Sequence, residues 1–242
     1  MNRILFESGE ITDGVATFGG VRAWHVLNVL HGEIGQRLKT GVIDGPIGTG
    51  EIVAIDGDRI SVRVRHDEES PRPWVDLILA PPRPRVMKRL LPQLASLGVG
   101  RIVLVGAKKV EKDFWGATLL KPENYRPLLI DGLMQAGTSL LPTLETRRNF
   151  HRFVTDELEA MFPTANRIVA HPYAADARRR PPSAAFPAPV IAIGPEGGWT
   201  DDEVALLEER GFVRYSLGRR ILRTDTATVA ILARLMPMEE GK

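Results

Sequence analysis

The run Val190-Ile191-Ala192-Ile193, ended by Gly194-Pro195-Glu196-Gly197-Gly198, restricts this chain more than any other stretch. An uninterrupted apolar run with β-branched residues suits a strand covered on both faces, the strand type of a parallel sheet. The three glycines that follow let backbone approach a neighbour closely. Thr200 with Glu203 three residues on forms a capping box, so a helix starts there and ends near Gly211. A second apolar strand is expected over residues 212–217, running into Gly218-Arg219-Arg220. After Ile221-Leu222-Arg223, Thr224 and Asp225 offer N-caps for a last apolar helix over residues 227–235. Two strands that each end in a glycine turn before a capped helix imply an α/β fold. Ligands of such sheets sit outside the carboxyl ends of the strands.

A dinucleotide loop does not fit. The G-x-G-x-x-G spacing is absent, Pro195 removes an amide that would face a phosphate, and Glu196 would repel one. Glycines and apolar walls without phosphate-cradling amides suit a ligand that joins an adenosine to a positive centre. S-adenosylmethionine has that constitution.

Ile193-Gly-Pro-Glu-Gly-Gly-Trp-Thr200 with Glu203, followed by Leu217-Gly-Arg-Arg-Ile-Leu-Arg-Thr-Asp-Thr-Ala227, resembles the bacterial small-subunit (16S) ribosomal RNA uridine-N3 methyltransferase family of the SPOUT superfamily. A weaker similarity extends over nearly the whole chain. The resemblance implies a carboxy-terminal knotted (trefoil) α/β domain, a small amino-terminal PUA-like β-barrel that grips RNA, and a homodimer paired through the carboxy-terminal region. Composition agrees with a globular chain of 242 residues, 43% apolar and 26% charged. The absence of cysteine excludes disulfides and thiolate chemistry. The five histidines have no metal-ligand spacing, so no metal is expected. MNRILFESGE has no signal-peptide pattern and no apolar run has membrane-spanning length, so a cytoplasmic protein is expected.

Net charge is only +2, so the distribution of charge matters more than its sum. Basic residues cluster at Arg83, Arg85, Lys88 and Arg89, at Arg178-Arg179-Arg180, and at Arg219, Arg220 and Arg223. The proline-flanked Arg178–Arg180 cluster reads as a solvated loop. The last cluster, beside the glycine turn, suits RNA phosphate.

In chain order, residues 23–30 carry a short helical pattern. Segments 36–42, 50–55 and 59–65 read as strands, with Asp44-Gly45 and Asp56-Gly57 as hairpin marks. These make residues 1–70 a β-rich unit. Residues 66–73 read as a charged, proline-rich linker to a second domain over 74–242. There, strands 74–79, 101–105, 142–147 and 167–170 alternate with helices 86–97, 123–136 and 150–161, the first ended by Gly98 and kinked at Pro92.

The resemblance implies that Ile193, Gly194, Pro195, Glu196, Gly197, Gly198, Leu217, Gly218, Ile221, Leu222 and Thr224 hold the cofactor. It also puts His171 at the adenine end. Read as residues, His171 serves equally as a surface histidine beside a turn, and Glu196 as a carboxylate that takes the turn's amides. Arg223 is the candidate catalytic residue, a guanidinium for a uracil carbonyl, with a salt bridge to Asp225 as its structural alternative. No general base is identifiable. Arg3, Arg22, His25, Arg219, Arg220 and Gln135 are the candidate RNA contacts. His31, Gln93, Ser96, Thr138 and Asp225 depart from the residues usual in the family. A SPOUT enzyme acting at another RNA position, such as a ribose hydroxyl, and a catalytically silent RNA-binding protein are the other readings. For the dimer, the last helix is apolar over most of its surface, and Leu232 is the position where a charge would separate interface from subunit core.

Overall fold

The computed structural model describes residues 1–163, 166–172 and 188–237. Arg178–Arg180 and Met238 therefore lie outside the described residues. The chain divides into two compact units, Met1–Arg72 with Ile130–Leu141, and Pro73–Leu129 with Pro142–Lys242.

The first unit is a six-stranded sheet of β1 (Ile4–Phe6), β2 (Ile11–Thr12), β3 (Val15–Phe18), β4 (Arg37–Val42), β5 (Ile47–Asp56) and β6 (Arg59–Glu68), with α1 (Gly20–Asn28). Strand order is β1-β4-β5-β6-β3-β2, antiparallel except for the parallel β1–β4 pair. Period-2 alternation sends Ile60 and Val62 of β6 into a core with Phe6, Phe18, Val26 and Ile52. The Asp56-Gly57 turn closes the β5–β6 hairpin, Asp56 pairing with Arg59. β6 runs on through Glu68, so residues 66–68, expected in the linker, are strand; His66 is held there by Thr40 Oγ1 at 3.0 Å. β1, β2 and β3 were not expected, being too short to show an alternating pattern.

The second unit is an all-parallel sheet of β7 (Val75–Leu79), β8 (Val99–Val105), β9 (Thr143–Arg147), β10 (Arg167–Ala170), β11 (Val190–Ile193) and β12 (Val213–Tyr215), in the order β12-β10-β11-β7-β8-β9. β11 and β7 lie at its centre, and every residue of β11 is buried. Such continuous burial explains why these strands show no alternation. α2 (Pro84–Ser96) starts with proline at its first turn and continues through Pro92 as one helix. Trp74 Nε1 donates to the Leu97 carbonyl at its end.

α3 (Pro122–Ala136) follows, its residues from Ile130 on belonging to the first unit. The segment expected as one helix is helical throughout, passing through a π segment at Phe153–Glu157 between α4 (Phe150–Arg152) and α5 (Leu158–Met161). α6 (Asp201–Glu209) and α7 (Thr224–Leu235) complete the unit. α7 begins three residues before its expected start. Its N-cap is Arg223, whose donor-only side chain cannot accept a helix amide, and the Thr224 hydroxyl, expected as a cap, donates to the Gly194 carbonyl instead. Leu232 is fully buried within the chain, with Ile231 and Leu235, so its place is the subunit's own core. No helix among the described residues is long and apolar enough to cross a membrane.

Candidate functional site

The turn after β11 is built by its own residues. The Gly198 amide donates to the Pro195 carbonyl at 2.8 Å, and Gly198 sits at φ +69°, a left-handed conformation that favours glycine. Gly197 is glycine for a different reason. A Cβ there would come within 2.9 Å of Lys109 Cδ, so the room is taken by a lysine stem rather than kept for a ligand. Lys109 Nζ donates to the Gly197 carbonyl at 2.8 Å.

The capping box forms as the sequence indicates: the Thr200 amide donates to Glu203 Oε2 at 2.8 Å, and the Glu203 amide to Thr200 Oγ1 at 3.4 Å. Glu203 does more. Its Oε1 accepts the Lys108 amide at 2.7 Å, joining the end of β8 to the start of α6. Thus the carboxylate that orders the turn is Glu203, which is buried, and not Glu196. Glu196 is exposed and takes none of the turn's amides among the described residues. Asp201, Asp202 and Glu203 occupy the first turn of α6 and already complement its positive end. A phosphate there would meet three carboxylates, which strengthens the case against a nucleotide loop.

Trp199, only 6% exposed, packs on Phe150 with ring centroids 5.2 Å apart and lies against Gly194. Its indole Nε1 is buried without a hydrogen-bond partner. The turn after β12 is held more lightly. Ser216 Oγ donates to the Pro172 carbonyl and accepts from the Gly218 amide at 3.1 Å, while the His171 amide donates to the Tyr215 carbonyl. Ile221 is 75% exposed and Leu222 37%.

Between the two turns, at the carboxyl ends of β10, β11 and β12, lies a cleft of about 520 Å³. His171, Ile193, Gly194, Pro195, Glu196, Gly197, Gly198, Leu217, Gly218, Ile221, Leu222 and Thr224 all line it. Arg220, expected at RNA, lines it too, as do Lys109, Trp199, Tyr215 and Ile231, which the sequence did not single out. Volume, apolar walls and the spare indole donor suit a ligand the size of S-adenosylmethionine.

Arg219 and Arg223 are exposed outside the lining. Asp225, the partner considered for Arg223, faces Arg89 instead, at 3.6 Å. Arg3 is buried and donates to the carbonyls of Thr40, Gly48 and Gly137, so its guanidinium serves the fold where an RNA contact was expected. Arg22 pairs with Glu10, donates to the Leu5 carbonyl and stands over the rings of Phe6 and Phe18. The Arg22 hydrogen bonds lower the Glu10 pKa. His25 Nε2 is buried without a partner, and the Gln135 side chain accepts from the amino terminus at 3.2 Å.

A parallel α/β sheet whose two glycine turns enclose a largely apolar cleft at the carboxyl ends of its strands fits a ligand-binding enzyme of the α/β class. The chain belongs to the RNA methyltransferase domain family, whose model matches residues 68–236. It is 31% identical to the Ribosomal RNA small subunit methyltransferase E of Treponema pallidum, over 96% of this chain and 90% of that relative. A Legionella pneumophila protein described as a methyltransferase, solved with S-adenosylmethionine bound, is 26% identical, with a TM-score of 0.70 and coverage of 97% of this chain and 96% of its own. The Ribosomal RNA small subunit methyltransferase E of Neisseria gonorrhoeae has the same fold, with a TM-score of 0.72 at 23% identity over 96% of this chain and 95% of that one.

Proposed function

We propose that the protein is an S-adenosylmethionine-dependent methyltransferase that modifies N3 of a uridine in small-subunit (16S) ribosomal RNA. The observation that carries this reading is the cleft at the carboxyl ends of the strands, lined by both family motifs. The names of the relatives and the ligand bound in the Legionella structure support it.

The Gly194–Gly198 turn and residues 217–222 would hold the cofactor, with the apolar side chains of Leu217, Ile221 and Leu222 and the nearby His171 suited to the adenosine end. Bound there, S-adenosylmethionine supplies an electrophilic methyl group. The remaining task is to present uracil with its N3 proton removed. A guanidinium donating to a uracil carbonyl lowers the cost of that anion, by about 3 kcal/mol if it acts as an oxyanion donor does. Arg223 is exposed beside the cleft without a side-chain partner among the described residues, and is the group for this role. In this reading Arg219 and Arg220 serve RNA phosphate. Because pairing hides N3, the base has to be extruded or single-stranded.

In the same reading the first unit, a PUA-like barrel, contributes RNA affinity, with Arg22, His25 and Gln135 near its contact surface. The second unit carries the SPOUT trefoil knot, and two chains pair through the region of α7, where Ala233 and Met236 remain exposed. The protein then works in the cytoplasm, where its substrate is. Nucleotide-resolution mass spectrometry of ribosomal RNA tests the activity. A strain deleted for this gene should lack one N3-methyluridine in small-subunit RNA and regain it with the wild-type gene but not with Arg223→Ala. An unchanged methylation map in the deletion strain would sink the assignment.

A further inference from the structure

Lys109 reaches the cleft from the segment after β8, 88 residues before its bonding partner Gly197. Lys109 is exposed, its stem lies across the Gly197 Cα and its Nζ donates to the Gly197 carbonyl at 2.8 Å, which lays the side chain along the cleft wall. An ammonium has three N–H donors, and one is used. None of the ion pairs among the described residues involves Lys109.

A cation in this wall needs an account, because the expected ligand is itself largely cationic and the neighbouring Glu196 and Asp201 of the lining suit its positive groups. S-adenosylmethionine carries a sulfonium, an ammonium and a single carboxylate, with no phosphate. A lysine held beside the sulfonium or the ammonium would oppose binding; beside the carboxylate it would favour it. Arg220, the other lysine or arginine that lines the cleft, comes from the opposite turn, among Leu217, Ile221 and Leu222, where an uncharged adenine fits.

We propose that Lys109 is a cofactor-binding residue that recognises the amino-acid carboxylate of S-adenosylmethionine, which places that end of the ligand at the Gly197 wall. The proposal rests on the cofactor reading above and adds the direction in which the ligand lies. A role toward RNA phosphate is the weaker alternative, since Lys109 is tied to the cleft wall whereas Arg219 and Arg223 stand free of it.

Calorimetric titration with S-adenosylmethionine and with decarboxylated S-adenosylmethionine, which differ in the carboxylate alone, separates these roles. The proteins are the wild type, Lys109→Met, which keeps the stem over Gly197, and Arg220→Met. A charge-assisted hydrogen bond predicts that the wild type prefers the carboxylated ligand by about tenfold or more. Lys109→Met should lose that preference and bind the decarboxylated ligand as the wild type does, whereas Arg220→Met should keep the preference.

Equal weakening toward both ligands in Lys109→Met would make the lysine a clamp on the turn and overturn the proposal. So would a retained preference, including one accompanied by weaker RNA binding, or a preference lost in Arg220→Met instead. A wild type that binds both ligands equally refutes the role of Lys109 alone. A wild type that binds neither refutes the cofactor reading as well.

Discussion

The two glycine turns that flank the cleft occupy equivalent places, each between a parallel strand and a helix, yet they are built differently. At residues 194–198 the chain satisfies itself. Glu203 takes two backbone amides, Lys109 crosses Gly197, and Trp199 is buried beneath. At residues 217–222 the ties are the Ser216 hydroxyl and the Gly218 amide, and two apolar side chains face outward. Exposed apolar groups beside a cleft gain free energy only when something covers them. The contrast indicates one wall formed in advance and one completed by what binds.

The largest effect should come from the stiff wall. Glu203→Ala strands the Lys108 and Thr200 amides in a half-buried place, and unsatisfied backbone donors cost about 1–3 kcal/mol each. A loss of about 3 kcal/mol is expected from urea denaturation, before any ligand is added. A loss below about 1 kcal/mol would show that water replaces the carboxylate and that the wall is not preformed.

On the open wall, Ile221→Ser should change stability by less than about 0.5 kcal/mol, because the side chain is already in solvent. Its effect should appear in binding: covering an isoleucine is worth about 1.5–3 kcal/mol, so affinity for S-adenosylmethionine should fall by about ten- to a hundredfold. A variant that loses stability instead, with unchanged binding, would reverse the roles of the two walls.

How far the sequence reveals these walls follows the same division. The Thr200–Glu203 box, the glycine turns and the buried run of β11 are local, so composition and spacing expose them. The cleft therefore gathers the motif residues nominated for the cofactor, whereas Arg219 and Arg223 of the second motif lie outside its lining. Lys109 is invisible in that reading because its contact spans 88 residues and no local pattern anticipates it. The second bond of Glu203, to the Lys108 amide, is hidden for the same reason. α7 was placed three residues late because its early residues look like caps, whereas Thr224 spends its hydroxyl on Gly194. Arg3 shows a different limit: a terminal arginine suggests a surface contact, and only the fold reveals three carbonyls waiting for it.

The smallest effect should come from the second turn's counterpart of Glu203. Asp225 also lies in the first turn of a helix, but its nearest cation is Arg89 at 3.6 Å, and that arginine is about two-thirds exposed. Long, solvent-screened pairs of this kind contribute between 0 and about 1 kcal/mol. Favourable placement near a helix N-terminus adds about 0.3–1 kcal/mol, also screened by salt. Asp225→Asn keeps the shape and the oxygen that accepts the Thr226 amide, so only the charge terms are removed. A loss of about 0.5 kcal/mol is expected at low ionic strength, vanishing near 1 M salt where the screening length is about 3 Å. The Glu203→Ala loss should persist in the same salt, because it comes from unpaired amides and not from exposed charge. If Asp225→Asn costs as much as Glu203→Ala, or if its cost ignores salt, the second turn is held as firmly as the first and the contrast between the walls fails.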